Sequence, residues 1–260
     1  MSVCTKWAPR GRQMLLCTLV AWSASATAQH NTLPDTIAKV KPSVVIVGSY
    51  NPTAAPRFSL RGSGIVVGSG NWVVSTAHVL PAPGSAQPQG QLVVQVRTGP
   101  DSFQTRAAKV LDKDVFPDLT LLQIDGPPVP ALPLADSDRV KEGQELAFMG
   151  FPIGGALGFS SVTHRAMVSS ITQARLPSAQ SGQLNERAIR GLREGNFLIF
   201  QLDATAYPGN SGGPLFDPVS GEVVGVMNMV LLKGTRESAL SHPSGISYAI
   251  PARHVREMMA

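Results

Sequence analysis

Apolar residues in this chain come mostly in short runs rich in Val, Ile and Leu, cut by clusters of Gly, Pro, Ser and Asn. That pattern reads as strands joined by turns, not as helices. The candidate strands are Ser43–Val47, Gly64–Val67, Trp72–Ser75, Leu92–Arg97, Leu119–Ile124, Glu145–Met149, Val162–Ile171, Phe197–Leu202, Val223–Leu232 and Ile246–Ile250. One early segment differs. In Leu33–Lys41, the residues Leu33, Ile37 and Val40 recur at helical spacing, and Pro42 stops the turn from continuing. A second short helix is predicted from Pro251 onward. No helical pattern alternates with the strands, which argues against a parallel βαβ sheet. The expected class is all-β.

Turns such as Pro81-Ala82-Pro83-Gly84 and Asp217-Pro218 with Ser220-Gly221 punctuate the strands. Two stretches read as longer loops. Pro81–Gln91 is rich in Pro, Gly and Gln. Gln173–Asn196 is polar and carries Arg175, Arg187, Arg190 and Arg193. A loop of that length within a compact domain is functional or mobile, and its arginines read as a solvated surface.

Composition sharpens the picture at the amino terminus. Lys6, Arg10 and Arg12 precede a short apolar run, Met14–Trp22, and then the small-x-small site Ala26-Thr27-Ala28. This reads as a secretory leader, residues 1–28, cleaved after Ala28. The run is too short to span a bilayer, which takes about 20 residues. Removing the leader takes the formal net charge from +5 to +2, so the basic balance makes no case for nucleic acid. Cys4 and Cys17 leave with it, so the mature chain, residues 29–260, holds no disulfide and depends on its core. With 260 residues, 43% of them hydrophobic, that core can be large. It fits one large all-β unit or two small barrels. The expected location is the periplasm or the exterior, with no stable membrane span.

The strongest chemical signal is Pro208-Gly209-Asn210-Ser211-Gly212-Gly213-Pro214. A serine hydroxyl is a weak nucleophile unless a base takes its proton and donors receive the developing oxyanion. Glycines around Ser211 let backbone N–H groups converge on one point. By itself the motif could be an ordinary glycine turn. A base is supplied by Val73–His78, an apolar strand running into Thr76-Ala77-His78, where small Ala77 leaves room for the imidazole. A carboxylate is supplied by Phe116-Pro117-Asp118 at the mouth of the apolar run Leu119–Leu122. Such an Asp is costly unless paired. Its rivals read as solvated: Asp112 and Asp114 flank Lys113 in what looks like a polar turn, and Asp125 precedes Gly126-Pro127-Pro128. The order His78, Asp118, Ser211 is that of chymotrypsin. Gly209–Gly213 also fits G-x-S-x-G, but that fold places Ser first and a helix directly after it. Neither holds here.

With these motifs in place, the chain resembles trypsin-like proteases of the HtrA/Deg branch. The matching residues are Ser75–His78, Asp118–Leu122, Asp203-Ala204 with Gly209–Gly213, Tyr248–Pro251, and Gly150-Phe151-Pro152-Ile153-Gly154. The resemblance runs from about Leu33 to Ile250. It implies two six-stranded antiparallel β-barrels, a cleft between them holding His78, Asp118 and Ser211, and an oxyanion loop of Gly209, Asn210 and Ser211. It implies a serine endopeptidase acting on polypeptides without a cofactor or metal. The pocket base would be Thr205, with Ala206 and Val230 as its walls and Asn228 and Met229 nearby, so small-to-medium apolar residues are expected before the scissile bond. Asn210 stands where digestive relatives carry an Asp that pairs with a newly cut amino terminus, so no second activating cleavage is expected. No PDZ domain fits after Ile250, and the oligomeric state stays open between monomer and trimer. Two other functions stay open as well: a protease-fold binding protein that does not cut, and an esterase.

Overall fold

The computed structural model describes residues 1–2, 32–80, 90–100, 102–153, 158–174, 197–228 and 245–260. The chain divides into Met1–His30 and Asn31–Ala260, and every element below belongs to the second unit. Residues 3–28 of the leader, His30, His242, most of Pro81–Gln91, most of Gln173–Asn196, and the pocket candidates Met229 and Val230 lie outside the described residues. No described helix is long and apolar enough to cross a membrane.

The chain opens with helix α1, Leu33–Val40. Asp35 sits in its first turn, where a carboxylate suits the exposed N–H groups. Its Oδ2 accepts hydrogen bonds from Thr32 N at 3.1 Å and Thr32 Oγ1 at 2.6 Å, which hold the carboxyl below its ordinary range. Six strands follow: β1 Val44–Tyr50, β2 Phe58–Val67, β3 Trp72–Thr76, β4 Gln91–Arg97, β5 Phe103–Asp114 and β6 Leu119–Ile124. They close into a barrel in the order β1-β2-β3-β6-β5-β4. The next six are β7 Glu145–Gly150, β8 Val162–Gln173, β9 Leu198–Asp203, β10 Pro214–Phe216, β11 Val223–Asn228 and β12 Ile246–Pro251. They close into a second barrel in the order β10-β11-β12-β9-β8-β7. Helix α2, Ala252–Met259, completes the chain. All ladders between these strands are antiparallel.

The alternation of side chains along each strand explains the three cores. Val45 and Val47 point into the first barrel with Val66, Val73, Val94 and Leu122. Their neighbours Val44 and Ile46 face the other way, into an interface with Ile65, Leu119, Met149, Phe216, Val226 and Ile250. β1 is thus buried on both faces, which is why it reads as an unbroken apolar run. The second barrel is filled by Leu146, Phe148, Val168, Phe200, Leu202, Leu215 and Met227. Each fully buried aliphatic or aromatic side chain contributes about 1.5–3 kcal/mol, and both barrels draw on the shared interface.

The structure corrects the strand assignment in two places. β5 and β10 lie outside the ten predicted strands. β5 carries Gln104, Thr105, Lys109, Asp112 and Lys113, and much of its outer face is in solvent, so no apolar run marks it. Asp112 and Asp114, which read as a turn, pair across the ladder with Leu121 and Leu119. β10 has three residues, too few to show a period. β2 also starts six residues before the predicted Gly64, because Gly62-Ser63-Gly64 resembles a break.

Two half-buried histidines make stability sensitive to pH. His164 of β8 pairs with Phe148 of β7 and stacks on its ring at 4.7 Å. Its Nε2 is buried and has no hydrogen-bond partner among the described residues. Burial disfavours the charged ring and lowers its titration point. His254 of α2 is lowered for the same first reason, with Glu257 opposing. A group depressed on folding contributes its full stability above its unfolded value, about 6.5 for histidine, and loses it as pH falls. The melting temperature should therefore drop from pH 7.5 to pH 5, and His164→Phe should drop by less. Equal drops in calorimetry would contradict this account.

Candidate active site

His78 lies in a 3₁₀ turn, Ala77–Val79, directly after β3. Ala77 is 5% exposed, and only a small side chain suits that place beside the ring. Asp118 ends the turn before β6, at φ 55. Asp tolerates this left-handed conformation better than most residues. The turn is held from below, since Ala77 N donates to the Asp118 carbonyl at 2.9 Å. The carboxylate then meets the histidine twice. Oδ1 accepts from His78 N at 2.9 Å, and Oδ2 lies 2.6 Å from His78 Nδ1. A carboxylate facing Nδ1 requires the proton there, which leaves Nε2 as the basic nitrogen. Both side chains are partly shielded, at 27% and 18% exposure.

Ser211 comes from the other barrel, on the loop between β9 and β10. Tyr207 to Asn210 forms a turn closed by Asn210 N to the Tyr207 carbonyl at 2.9 Å. Pro208 suits its second position, and Gly209, at φ 106, its third. A Cβ at Gly209 would collide with the Phe151 carbonyl oxygen. Gly212, at φ 86, is pressed against the Ser63 carbonyl and Ser75 Oγ. The Pro208 carbonyl accepts from Ile153 N at 2.8 Å. In a trans peptide the N–H points opposite to the C=O, so the Gly209 N–H faces away from Ile153. It donates to no described residue.

The two barrels meet under this loop. Ser63 N of β2 donates to the Ser211 carbonyl at 2.8 Å. Ser63 Oγ donates to the Gly209 carbonyl at 2.6 Å and accepts from Phe151 N at 3.0 Å. Ser75 Oγ of β3 donates to the Ser63 carbonyl at 2.7 Å. Gly62 lies so close to Val79 and the Ser211 carbonyl that a Cβ there would come within 2.6 and 2.8 Å of them. Ser211 therefore sits beside the segment that carries His78. Ser63 and the bridging role of Ser75 went unread in the sequence. The available signal was Gly62-Ser63-Gly64, small residues inside a strand, which mark a close backbone approach.

The remaining predicted residues divide. Ala206 is 6% exposed and its N–H donates to Ser247 Oγ at 2.9 Å, and that hydroxyl donates to the Ala204 carbonyl at 2.7 Å. The Thr205-Ala206 segment is thus pinned to β12. Asn210 is fully buried, and neither end of its amide finds a partner among the described residues. Asn228, expected near the pocket, extends its amide toward the first barrel. It is 1% exposed and its Nδ2 donates to Asp118 Oδ2 at 2.8 Å. The reason is its place at the end of β11, where the strand faces the first barrel.

Comparison with known proteins agrees with this architecture. Residues 62–226 match the family model described as a trypsin-like peptidase domain. Mitochondrial serine protease HTRA2 of Bos taurus is 31% identical over 239 residues, covering 90% of this chain and 44% of that protein. A probable periplasmic serine endoprotease, DegP-like, of Marinomonas is 32% identical over 207 residues, covering 79% of this chain and 36% of that protein. The chain thus spans less than half the length of these curated relatives. Among solved structures, the HtrA-type protease AlgW with a tripeptide superposes with a TM-score of 0.62 at 23% identity, covering 88% of this chain and 62% of that one. The chain belongs to the trypsin-like peptidase family, and within it resembles the HtrA-type serine proteases.

Proposed function

We propose that this chain is an exported serine endopeptidase that cleaves polypeptides through Ser211, His78 and Asp118. The observation that carries the reading is the doubly bonded Asp118–His78 pair, set beside the glycine loop of Ser211. In this reading Ser211 Oγ attacks the scissile carbonyl carbon while His78 Nε2 takes its proton. The carbonyl electrons move onto oxygen, where the N–H groups of Gly209 and Ser211 receive them. The intermediate then expels the amine, which takes the proton back from His78, and an acyl-enzyme remains. Water repeats the sequence and releases the acid. Asp118 holds the ring in its tautomer and stabilises the imidazolium. The DegP-like relative is named as periplasmic, which supports an envelope or extracellular location together with the leader-like opening.

The test is paired. A fluorophosphonate probe should label Ser211, and purified protein should degrade casein. Labelling without cleavage would favour the esterase reading, and the absence of both would favour a non-cutting binding protein.

The pocket reading yields a specificity prediction. Thr205 and Ala206 present no charge. A Lys or Arg entering there would lose hydration without meeting a carboxylate, whereas a Val, Leu or Met side chain gains about 1.5–3 kcal/mol by burial. The preference for apolar residues before the scissile bond should reach about a hundredfold in kcat/KM. A peptide-library digest read by mass spectrometry measures it, and cleavage mainly after Lys or Arg would sink this pocket assignment.

A further inference from the structure

Ser63 of β2 belongs to the first barrel, yet its polar atoms are spent on the nucleophile loop and its supports. Its N donates to the Ser211 carbonyl at 2.8 Å. Its Oγ donates to the Gly209 carbonyl at 2.6 Å and accepts from Phe151 N at 3.0 Å. Its own carbonyl accepts from Ser75 Oγ at 2.7 Å, and Ser75 lies on the strand that runs into His78. Both serines are fully buried.

We propose that Ser63 is a positioning residue for hydrolysis, whose hydroxyl holds the oxyanion turn in register with the strand that carries His78. The proposal rests on the reading of the Gly209 and Ser211 N–H groups as oxyanion donors given above. Four peptide planes decide where those donors point. The plane carrying the Gly209 N–H is held by Ile153 N on the Pro208 carbonyl at 2.8 Å, and the plane carrying the Ser211 N–H by Gly213 N on the Asn210 carbonyl at 3.0 Å. The plane directly after each donor is held by Ser63, through Oγ at Gly209 and through N at Ser211. Without that grip Gly209 would be a pivot, because at φ 106 it has no Cβ to restrict rotation. The same hydroxyl takes the Phe151 N–H, two residues before Ile153, so it also fixes the segment that holds the Pro208 carbonyl. A single O–H that donates and accepts at once meets both demands. Space is tight as well, since a Cβ at Gly150 would lie 2.9 Å from Ser63 Oγ.

Ser63→Ala tests this, with active sites counted by fluorophosphonate labelling run to completion. Per labelled site, kcat should fall about ten- to a hundredfold, the scale for leaving buried backbone groups unpaired at the reacting centre, with KM within about threefold. A peptide boronic acid forms a tetrahedral adduct on Ser211 and sets an oxygen at the oxyanion position. Its affinity should weaken by about the same factor as kcat. A serine with a merely structural role would lower the melting temperature and the number of labelled sites, and leave both of those quantities unchanged. Ser137→Ala is the matched control. That serine is 2% exposed and its Oγ accepts from Arg253 N of α2 at 3.0 Å, so the variant should lose stability and keep its kcat. If Ser63→Ala does not fold, Ser63→Cys, whose thiol is a weak donor and acceptor, carries the test through the same paired fall. A kcat per site within about threefold of the parent would overturn the proposal. So would a lowered kcat with unchanged boronate affinity. Ser211→Ala separates the layers: if that variant still hydrolyses peptides at the parent rate, the site reading itself fails. If it is inactive and the Ser63 variants behave as the parent, only the positioning role fails.

Discussion

Ser211→Ala should lower peptide hydrolysis by roughly 10⁶-fold in kcat, with the fold retained. Ser211 is 4% exposed, and the substitution removes one oxygen. The structural cost is about 1 kcal/mol, the net worth of an ordinary hydrogen bond. The backbone contacts that hold the loop, Ser63 N to the Ser211 carbonyl and Gly212 N to the Met227 carbonyl, survive. The chemical cost is far larger, because Ser211 carries the only hydroxyl within Gly209–Gly213. His78→Ala should be nearly as damaging, since the nucleophile then keeps its proton. The informative measurement is the double variant. Residues acting as one unit lose their contribution together, so the double variant should be hardly worse than either single one. Losses that multiply would show that the two residues act independently and would count against the assignment.

Gly209→Ala should lower kcat by about a hundred- to a thousandfold, the scale for loss of one oxyanion donor, with little change in KM. The cause is steric. At φ 106, residue 209 adopts a conformation that side chains resist, and the new Cβ would meet a backbone carbonyl, that of Phe151, rather than a flexible side chain. The turn must shift, and the Gly209 N–H shifts with it. Strain of this kind also costs about 1–3 kcal/mol of stability. Gly143→Ala is the matched control. That glycine has φ 83 and nothing within 4 Å of a built Cβ, so the variant should lose stability and keep its kcat. If Gly209→Ala retains kcat within about threefold, the Gly209 amide is not an oxyanion donor.

How far the sequence reaches is clearest in particular elements. Strands buried on both faces, such as β1 and β6, announce themselves by composition. The His78, Asp118 and Gly209–Gly213 motifs are local as well. A left-handed glycine, a small neighbour and a carboxylate at a strand mouth are requirements of the immediate backbone, and the residues themselves state them. β5 did not show, because its polar side chains satisfy solvent along a ladder whose stability comes from β4 and β6.

The sequence by itself determined the all-β class, most of the strands, and the residue types that chemistry needs. Tertiary structure alone decided which groups meet across the two barrels. Asn228 lies 110 residues from Asp118, and Ser63 lies 146 from Gly209. On a strand, the choice between lining a pocket and crossing to a neighbour depends on which face the closed barrel turns inward. That is settled by ladder register and barrel closure, properties shared by many strands at once. A buried amide looks the same in the chain whether it walls a pocket or holds a carboxylate. Its partner exists only after both barrels have closed and packed.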